Sequence, residues 1–244
     1  NCRAAGFGYG GIRMIDLSAY GTETLKNAAC IYKNPLQRPE DIRDFVLEGK
    51  AVFSFPNARL RMENQLGADS GQKANYVLWC PEEFPADLFV RWQFYPIQEP
   101  GLCMIFLAAK GRDGDDLFSP SLMPRAGEYV QYHHGDIDAF HISYFRRKEP
   151  DERAFHTCNL RKSHGFYLTA QGGDPIPDAD EAEGPYEIAV LKRGNEVRFY
   201  INALELFRFK DDGVTYGKLL EGGKIGFRQL APMIGEYENL EVWA

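Results

Sequence analysis

Hydrophobic and polar residues alternate with a period of two along much of this chain. In residues 88–96 Val90, Trp92 and Phe94 fall on one side and Arg91, Gln93 and Tyr95 on the other. Residues 196–202 likewise separate Val197, Phe199 and Ile201 from Arg198, Tyr200 and Asn202. Each is the spacing of a strand with one buried face. About a dozen such short segments, bounded by Gly, Pro, Asn and Asp, run from residue 51 to the end. Residues 51–63 read as two paired segments bent at Pro56-Asn57, and Gly194-Asn195 as a tight hairpin turn. Residues 129–133 and 140–147 read as further strands. Helical periodicity is nearly absent. The exception is 39–45, where a proline followed by Glu40 and Asp41 fits the start of one or two turns. A dozen strands need two layers, so the pattern predicts an all-β, two-sheet antiparallel sandwich with few short helices.

Residues 102–109 form the longest apolar run. That is strand length and far short of the roughly 18 residues of a membrane-spanning helix. Residues 172–185, acidic and rich in breakers, predict a surface loop inside one domain.

Composition sharpens this picture. Of 244 residues 44% are hydrophobic and 26% charged, enough to bury a core, and the 17 Phe and 13 Tyr suit pleated surfaces. The net charge of −7 argues against nucleic acid as a partner. Five cysteines, an odd number without CxxC spacing, indicate neither a zinc ribbon nor a full disulfide framework, and Cys103 and Cys158 read as buried small hydrophobes. A chain that begins at Asn1 leaves open both a cytoplasmic location and export after loss of a leader.

Candidate chemistry concentrates in one region. All five histidines, at 133, 134, 141, 156 and 164, lie within 32 residues, and between His141 and His164 six basic residues face three acidic ones. Imidazole is the usual proton carrier near neutral pH. If residues 134–138 are extended, His134, Asp136 and Asp138 share a side, although Gly135 can break the pattern. His141 and Ser143 then share a side, with Tyr144 on the other. Asp136 and Asp138 fit a glycosidase carboxylate pair, a cation site or a capped turn. Asn159, Arg161, Lys162 and His164 suit a sugar carboxylate, which a guanidinium fork grips well. Arg228 falls opposite Ile225 and Phe227 and adds a further cation. Phosphate-loop, nucleophile-elbow and HExxH motifs are absent.

Five stretches, at 75–96, 101–118, 129–147, 158–168 and 223–233 ("NYVLWCPEEFPADLFVRWQFYP", "GLCMIFLAAKGRDGDDLF", "YVQYHHGDIDAFHISYFRR", "CNLRKSHGFYL", "GKIGFRQLAPM"), resemble the YesU-like family of unknown function. The resemblance covers about residues 31–244. It implies a jelly roll of the concanavalin A-like lectin and glucanase type, preceded by an extension at 1–30 packed on or beside it. It also implies an association with the degradation of pectin-like polysaccharides. A looser likeness to jelly-roll polysaccharide lyases, in which His or Tyr removes a proton and Gln or Arg neutralises a carboxylate, touches Gln131 to His134 and Tyr144.

Three functions follow as expectations, all placed on the concave face of one sheet with an oligo- or polysaccharide as partner. The first is a lyase of uronate-containing glycans, with His134 or His141 as base and Tyr144 as acid. Arg91, Gln93, His133, Asp136, Asp138, Asn159, Arg161, Lys162 and Arg228 would bind its substrate. The second is a hydrolase using Asp136 and Asp138 or Glu128. The third is a non-catalytic binding protein that stacks sugars on Trp79, Trp92 or Tyr132. No cofactor is required, and the acids of 111–116 leave room for a structural calcium. Oligomeric state stays open.

Overall fold

In the computed structural model, which describes residues 18–20 and 28–244, fifteen strands form two antiparallel sheets. Most of the expected N-terminal extension lies outside the described residues. In chain order the strands are β1 (Cys30–Asn34), β2 (Val46–Gly49), β3 (Ala51–Ser54), β4 (Leu60–Asn64), β5 (Tyr76–Trp79), β6 (Leu88–Gln98), β7 (Cys103–Gly111) and β8 (Ile137–Tyr144). They continue as β9 (Thr157–Ser163), β10 (Tyr167–Gly173), β11 (Tyr186–Arg193), β12 (Glu196–Ile201), β13 (Leu204–Lys210), β14 (Lys224–Gln229) and β15 (Ile234–Trp243). One sheet has the order β13-β12-β11-β6-β15-β4-β3, with β1 also paired to β15. The other has the order β10-β9-β8-β7-β14-β5-β2. Among the described residues helix is confined to 3-10 turns and two short pieces, α1 (Val130–His133) and α2 (Pro150–Ala154).

The alternation read from the sequence is the packing. Val90, Trp92 and Phe94 of β6 meet Ile105, Tyr144 and Phe227 of the facing sheet in the main core. Trp92 lies 5.4 Å from Phe227 and 6.0 Å from Tyr144, ring centre to ring centre. Cys103 and Cys158 are buried in the same core, as expected. The Gly194 turn joins β11 to β12 with Arg193 opposite Glu196, and Gly194 takes a φ of +54°, which glycine adopts without the penalty a Cβ brings. The paired segments around Pro56 are β3 and β4.

The run at 102–109 is apolar throughout because β7 is buried on both faces. Cys103, Ile105 and Leu107 point into the main core, whereas Met104 and Phe106 point out from the sandwich. There they are covered by the segment 112–136, whose Leu117 and Tyr132 join Val77, Trp79 and Ala139 in a second core. Trp79 lies flat over Gly226, where a Cβ would come within 2.4 Å of the indole. The cover is anchored by Arg125, which donates to Glu48 at 2.7 Å and to the Leu117 carbonyl at 2.8 Å.

Two local expectations are corrected, and the loop expected at 172–185 is present from 174 onward. Residues 130–133, read as strand, are α1, and β8 begins only at Ile137, so Gly135 does interrupt the extended pattern. The expected helix at 39–45 is a 3-10 turn, Pro39–Ile42. The 172–185 segment starts inside β10, and the buried Arg147 pins the rest of it. That guanidinium donates to Asp174 at 3.2 Å, Asp178 at 2.9 Å and the Ile176 carbonyl at 2.7 Å.

Candidate functional site

Two transverse rows of side chains cross the outward face of the seven-stranded sheet. Strand register places Arg161, His141, Phe106, Gly226 and Trp79 side by side, from β9 through β5. The neighbouring row is Gln171, Asn159, Ser143, Met104, Arg228 and Val77. The cover reaches over β5, β14, β7 and the first part of β8, where Ile137, Ala139 and His141 are buried, and the face beyond it, with Ser143, Asn159 and Gln171, is left as a shallow trough. Tyr129 and His133 bound it on the α1 side, where they pack directly on Phe166 at 5.5 and 4.6 Å between ring centres, and Arg161 and Gln171 lie beyond that contact.

Tyr129, the residue just before α1, is the hub of the trough. Its hydroxyl lies 2.6 Å from His141 Nδ1, and His141 Nε2 lies 3.2 Å from Ser163 Oγ. Ser163 Oγ in turn donates to the Ala139 carbonyl at 3.3 Å. With Ser163 donating onward, the network assigns a neutral imidazole that accepts from Tyr129 at Nδ1 and donates from Nε2. His141 is 1% exposed and stacked on Phe106 at 5.4 Å. Burial, and then the charges of His133, Arg161 and Arg228, push its pKa well below the usual 6.5. The Tyr129 ring also touches His133 (4.8 Å), Phe166 (5.5 Å) and the Arg228 guanidinium (4.9 Å). Burial raises the Tyr129 pKa, while Arg228, Arg161 and Arg146 pull the other way.

The guanidiniums around Tyr129 are unusual in their partners. Arg228 is fully buried, donates to the Gly127 carbonyl at 2.5 Å and to Gln72 at 3.3 Å, and leaves its Nε without a partner among the described residues. Arg161 donates to the Phe166 carbonyl at 2.9 Å and lies over the Phe166 ring at 3.8 Å. Neither has a carboxylate partner among the described residues. A buried cation without an acid is costly, so this face carries uncompensated positive charge.

The remaining expected residues divide into three groups. Asn159 and Ser143 lie on the trough floor, with the Asn159 and Gln171 amides 2.7 Å apart. His134, His164, Asp136 and Asp138 lie beyond a wall made where the β9–β10 turn docks on α1. Gly165 N–H donates to the His133 carbonyl at 2.6 Å, and His134 and His164 are 5.8 Å apart. Behind this wall is a cavity of about 850 Å³ lined by Asp136, Asp138, His164, Arg112, Tyr167, Tyr216 and Lys218, among others. Asp138 accepts from the His164 N–H at 3.1 Å and faces Lys218 at 3.1 Å. His156 is elsewhere, 3.4 Å from Asp178.

The third group is placed away from the site. Tyr144 is 0% exposed in the core between the sheets, 3.3 Å from the Trp92 indole N–H, so it cannot act with His141. Arg91 and Gln93 lie on the outer face of the other sheet. Arg91 pairs with Glu241 at 2.9 Å and Glu187 at 3.5 Å, and Gln93 accepts from Asn239 at 2.9 Å. The Lys162 ammonium is buried and occupied, at 2.6 Å from Asp211 and within 3.0 Å of the Gly217 and Lys218 carbonyls. Trp79, Trp92 and Tyr132 are fully buried and offer no ring to a sugar. In the 111–116 segment Asp116 turns to Lys224 at 3.1 Å and Asp115 accepts from Ser121 at 3.4 Å. Among the described residues no group of three or more His, Cys, Asp or Glu converges as a metal site.

A family model described as "Domain of unknown function (DUF1961)" matches residues 29–242. The chain is 49% identical over 217 residues to "Uncharacterized protein YesU" of Bacillus subtilis (strain 168), covering 89% of this chain and 96% of that one. Among solved structures, a Bacillus subtilis protein of unknown function with a galectin-like fold superposes with a TM-score of 0.85 at 50% identity. That match covers 88% of this chain and 95% of that one. The potassium-bound Emp46p carbohydrate recognition domain (TM-score 0.57, 11% identity, 86% and 95% covered) and a Bacillus licheniformis β-glucanase (0.53, 9%, 86% and 96%) share the fold.

Proposed function

This chain belongs to the family described as a domain of unknown function, DUF1961, and from that premise we propose that it grips an acidic saccharide in the trough over β8–β10 and removes a proton from it through Tyr129 and His141. The observation that carries the reading is the Tyr129 hydroxyl, 2.6 Å from a buried neutral His141, on a ring beside Arg228 and Arg161, neither of which has an acid partner among the described residues. The fold is shared with a carbohydrate recognition domain and a β-glucanase, which supports a saccharide as ligand.

The physical logic starts with charge. A sugar carboxylate reaching Arg161 supplies the anion that this face lacks, and a bidentate guanidinium contact fixes its plane. The same anion offsets the positive charges that depress His141, so the imidazole becomes a better base when the substrate is present. Tyr129, half-buried where His141 is fully buried, takes the proton from the carbon next to the carboxylate as its own proton moves to His141 Nδ1. The carbon–oxygen bond one position further breaks, a double bond forms in conjugation with the carboxylate, and the departing alkoxide recovers a proton from Tyr129. Neutralised carboxylate and aligned base are what a weakly acidic C–H bond requires.

The test is incubation with uronate-containing oligosaccharides, following the ultraviolet absorbance of an unsaturated product. Tyr129→Phe is expected to lower turnover by about 10²–10⁴-fold with binding retained, and Arg161→Ala to weaken binding. Silence of the wild-type chain across a broad uronate panel overturns the elimination. A second reading, binding without turnover, is favoured by the Phe166 ring, 41% exposed beside Arg161 as a platform for a sugar C–H face. It is distinguished by uronate affinity without any double bond. Hydrolysis by Asp136 and Asp138 has less support, because both lie behind the wall and Asp138 is already engaged by Lys218.

A further inference from the structure

The cavity behind the histidine wall has a chemistry opposite to that of the trough. Its lining carries Asp113, Asp115, Asp136 and Asp138 against Arg112 and Lys218, while the third lining cation, Lys162, is matched by Asp211. An anionic sugar drawn to the trough therefore meets an excess of carboxylates here. At the lining two tyrosine rings, Tyr167 (45% exposed) and Tyr216, stand 5.3 Å apart and inclined at 46°, forming an apolar corner beside the charged groups.

We propose that this cavity is a second saccharide site, separate from the trough, that takes a neutral oligosaccharide. Sugar hydroxyls both donate and accept, and Asp138 beside Lys218 and Arg112 offers acceptors and donors within one small area. Sugar C–H faces pack on aromatic rings, which the tyrosine corner supplies. A volume of about 850 Å³ is in the range of pockets that enclose ligands larger than a single ring.

The walls are also held in place before any ligand arrives. The Lys162 ammonium ties the Gly217 and Lys218 carbonyls to Asp211. Lys218 then bridges to the Arg112 carbonyl and to Asp138, joining the 212–219 loop to the turn after β7. A site that needs no loop ordering keeps more of its contact energy as affinity. This gives the buried Lys162 a role, as the staple of the cavity in place of a contact with an acidic sugar.

The inference shares with the trough reading only its carbohydrate premise, and two probes separate them. NMR titration of the full chain would use neutral trisaccharides of glucose, galactose, mannose and xylose, and independently trigalacturonate. At least one neutral probe is expected to shift the amides of 112–116 and 214–219 while leaving 141–143, 159–161 and 166 unmoved. Tyr167→Ala combined with Tyr216→Ala is expected to weaken that binding by about tenfold or more without altering trigalacturonate binding. Both residues are surface tyrosines outside the trough. Neutral probes that are silent at the cavity, or trigalacturonate filling it, overturn the inference. Trigalacturonate failing at the trough while a neutral probe fills the cavity supports the second site and removes the first.

Discussion

Tyr129 meets His141, His133, Phe166 and Arg228 at once, so the protonation of the imidazoles is bound up with the packing of one ring. Burial, with the charges of His134 and Arg161 next, lowers the His133 pKa from 6.5 to about 4. His141 is held lower than its usual value for the same leading reason. In the unfolded chain both imidazoles take up protons near 6.5, whereas folded His133 does so only near 4, so the unfolded state binds more protons between these values. Their contribution to stability is complete above 6.5 and declines as the pH falls towards 4. Urea midpoints measured across that window are expected to fall, and His133→Gln to flatten part of the slope. An unchanged slope in that variant would count against the assignment.

At the scale of elements, the site is built by pressing the 112–136 segment onto a sheet. The pivot is Gly127, whose φ is +93° and whose Cβ, if present, would lie 2.0 Å from the Asn75 carbonyl oxygen. Its own carbonyl holds Arg228, and two residues on comes Tyr129. Gly127→Ala is therefore expected to displace Tyr129 from His141 and lower saccharide handling, although it changes no trough side chain. Gly194→Ala is the control, since it also has positive φ but open space around it. Binding curves for the pair decide the point, and equal losses would remove the pivot role. A second element, the 211–218 loop, depends on Lys162. Lys162→Met leaves Asp211 buried without its cation, and denaturation is expected to show a loss of about 3–5 kcal/mol.

Across the whole molecule the sandwich separates two polar surfaces with a core of aromatic rings. Arg91 lies on the far surface, tied to Glu241 and Glu187, so Arg91→Ala is expected to leave binding at the trough unchanged. A loss of affinity in that variant would mean that the far sheet contributes. Phe94, in edge and tilted contact with Tyr144, Phe145 and Tyr237, belongs to the opposite case. Phe94→Ala is expected to cost about 3–5 kcal/mol in thermal or urea unfolding, and with it the folded face on which both proposed sites rest.

Alternation along β6 and β12, the turn at Gly194 and the doubly apolar β7 were written in local spacing, because a side chain's face in a strand depends only on parity. For the same reason Tyr144 was legible as opposite to His141, and Arg228 as opposite to Phe227. The family and its jelly roll were likewise legible in the wording of long segments. Tyr129 was not. It precedes a single helical turn too short to show a period, and its partners come from that turn, β8, the β9–β10 turn and β14. Nor could parity show that Arg91 and Arg161 belong to different sheets, or that Lys162 and Arg228 would be sealed from solvent. Those outcomes depend on which strands become neighbours and which segment covers them, and contacts between residues far apart in the chain are decided only when the two layers and their cover close together.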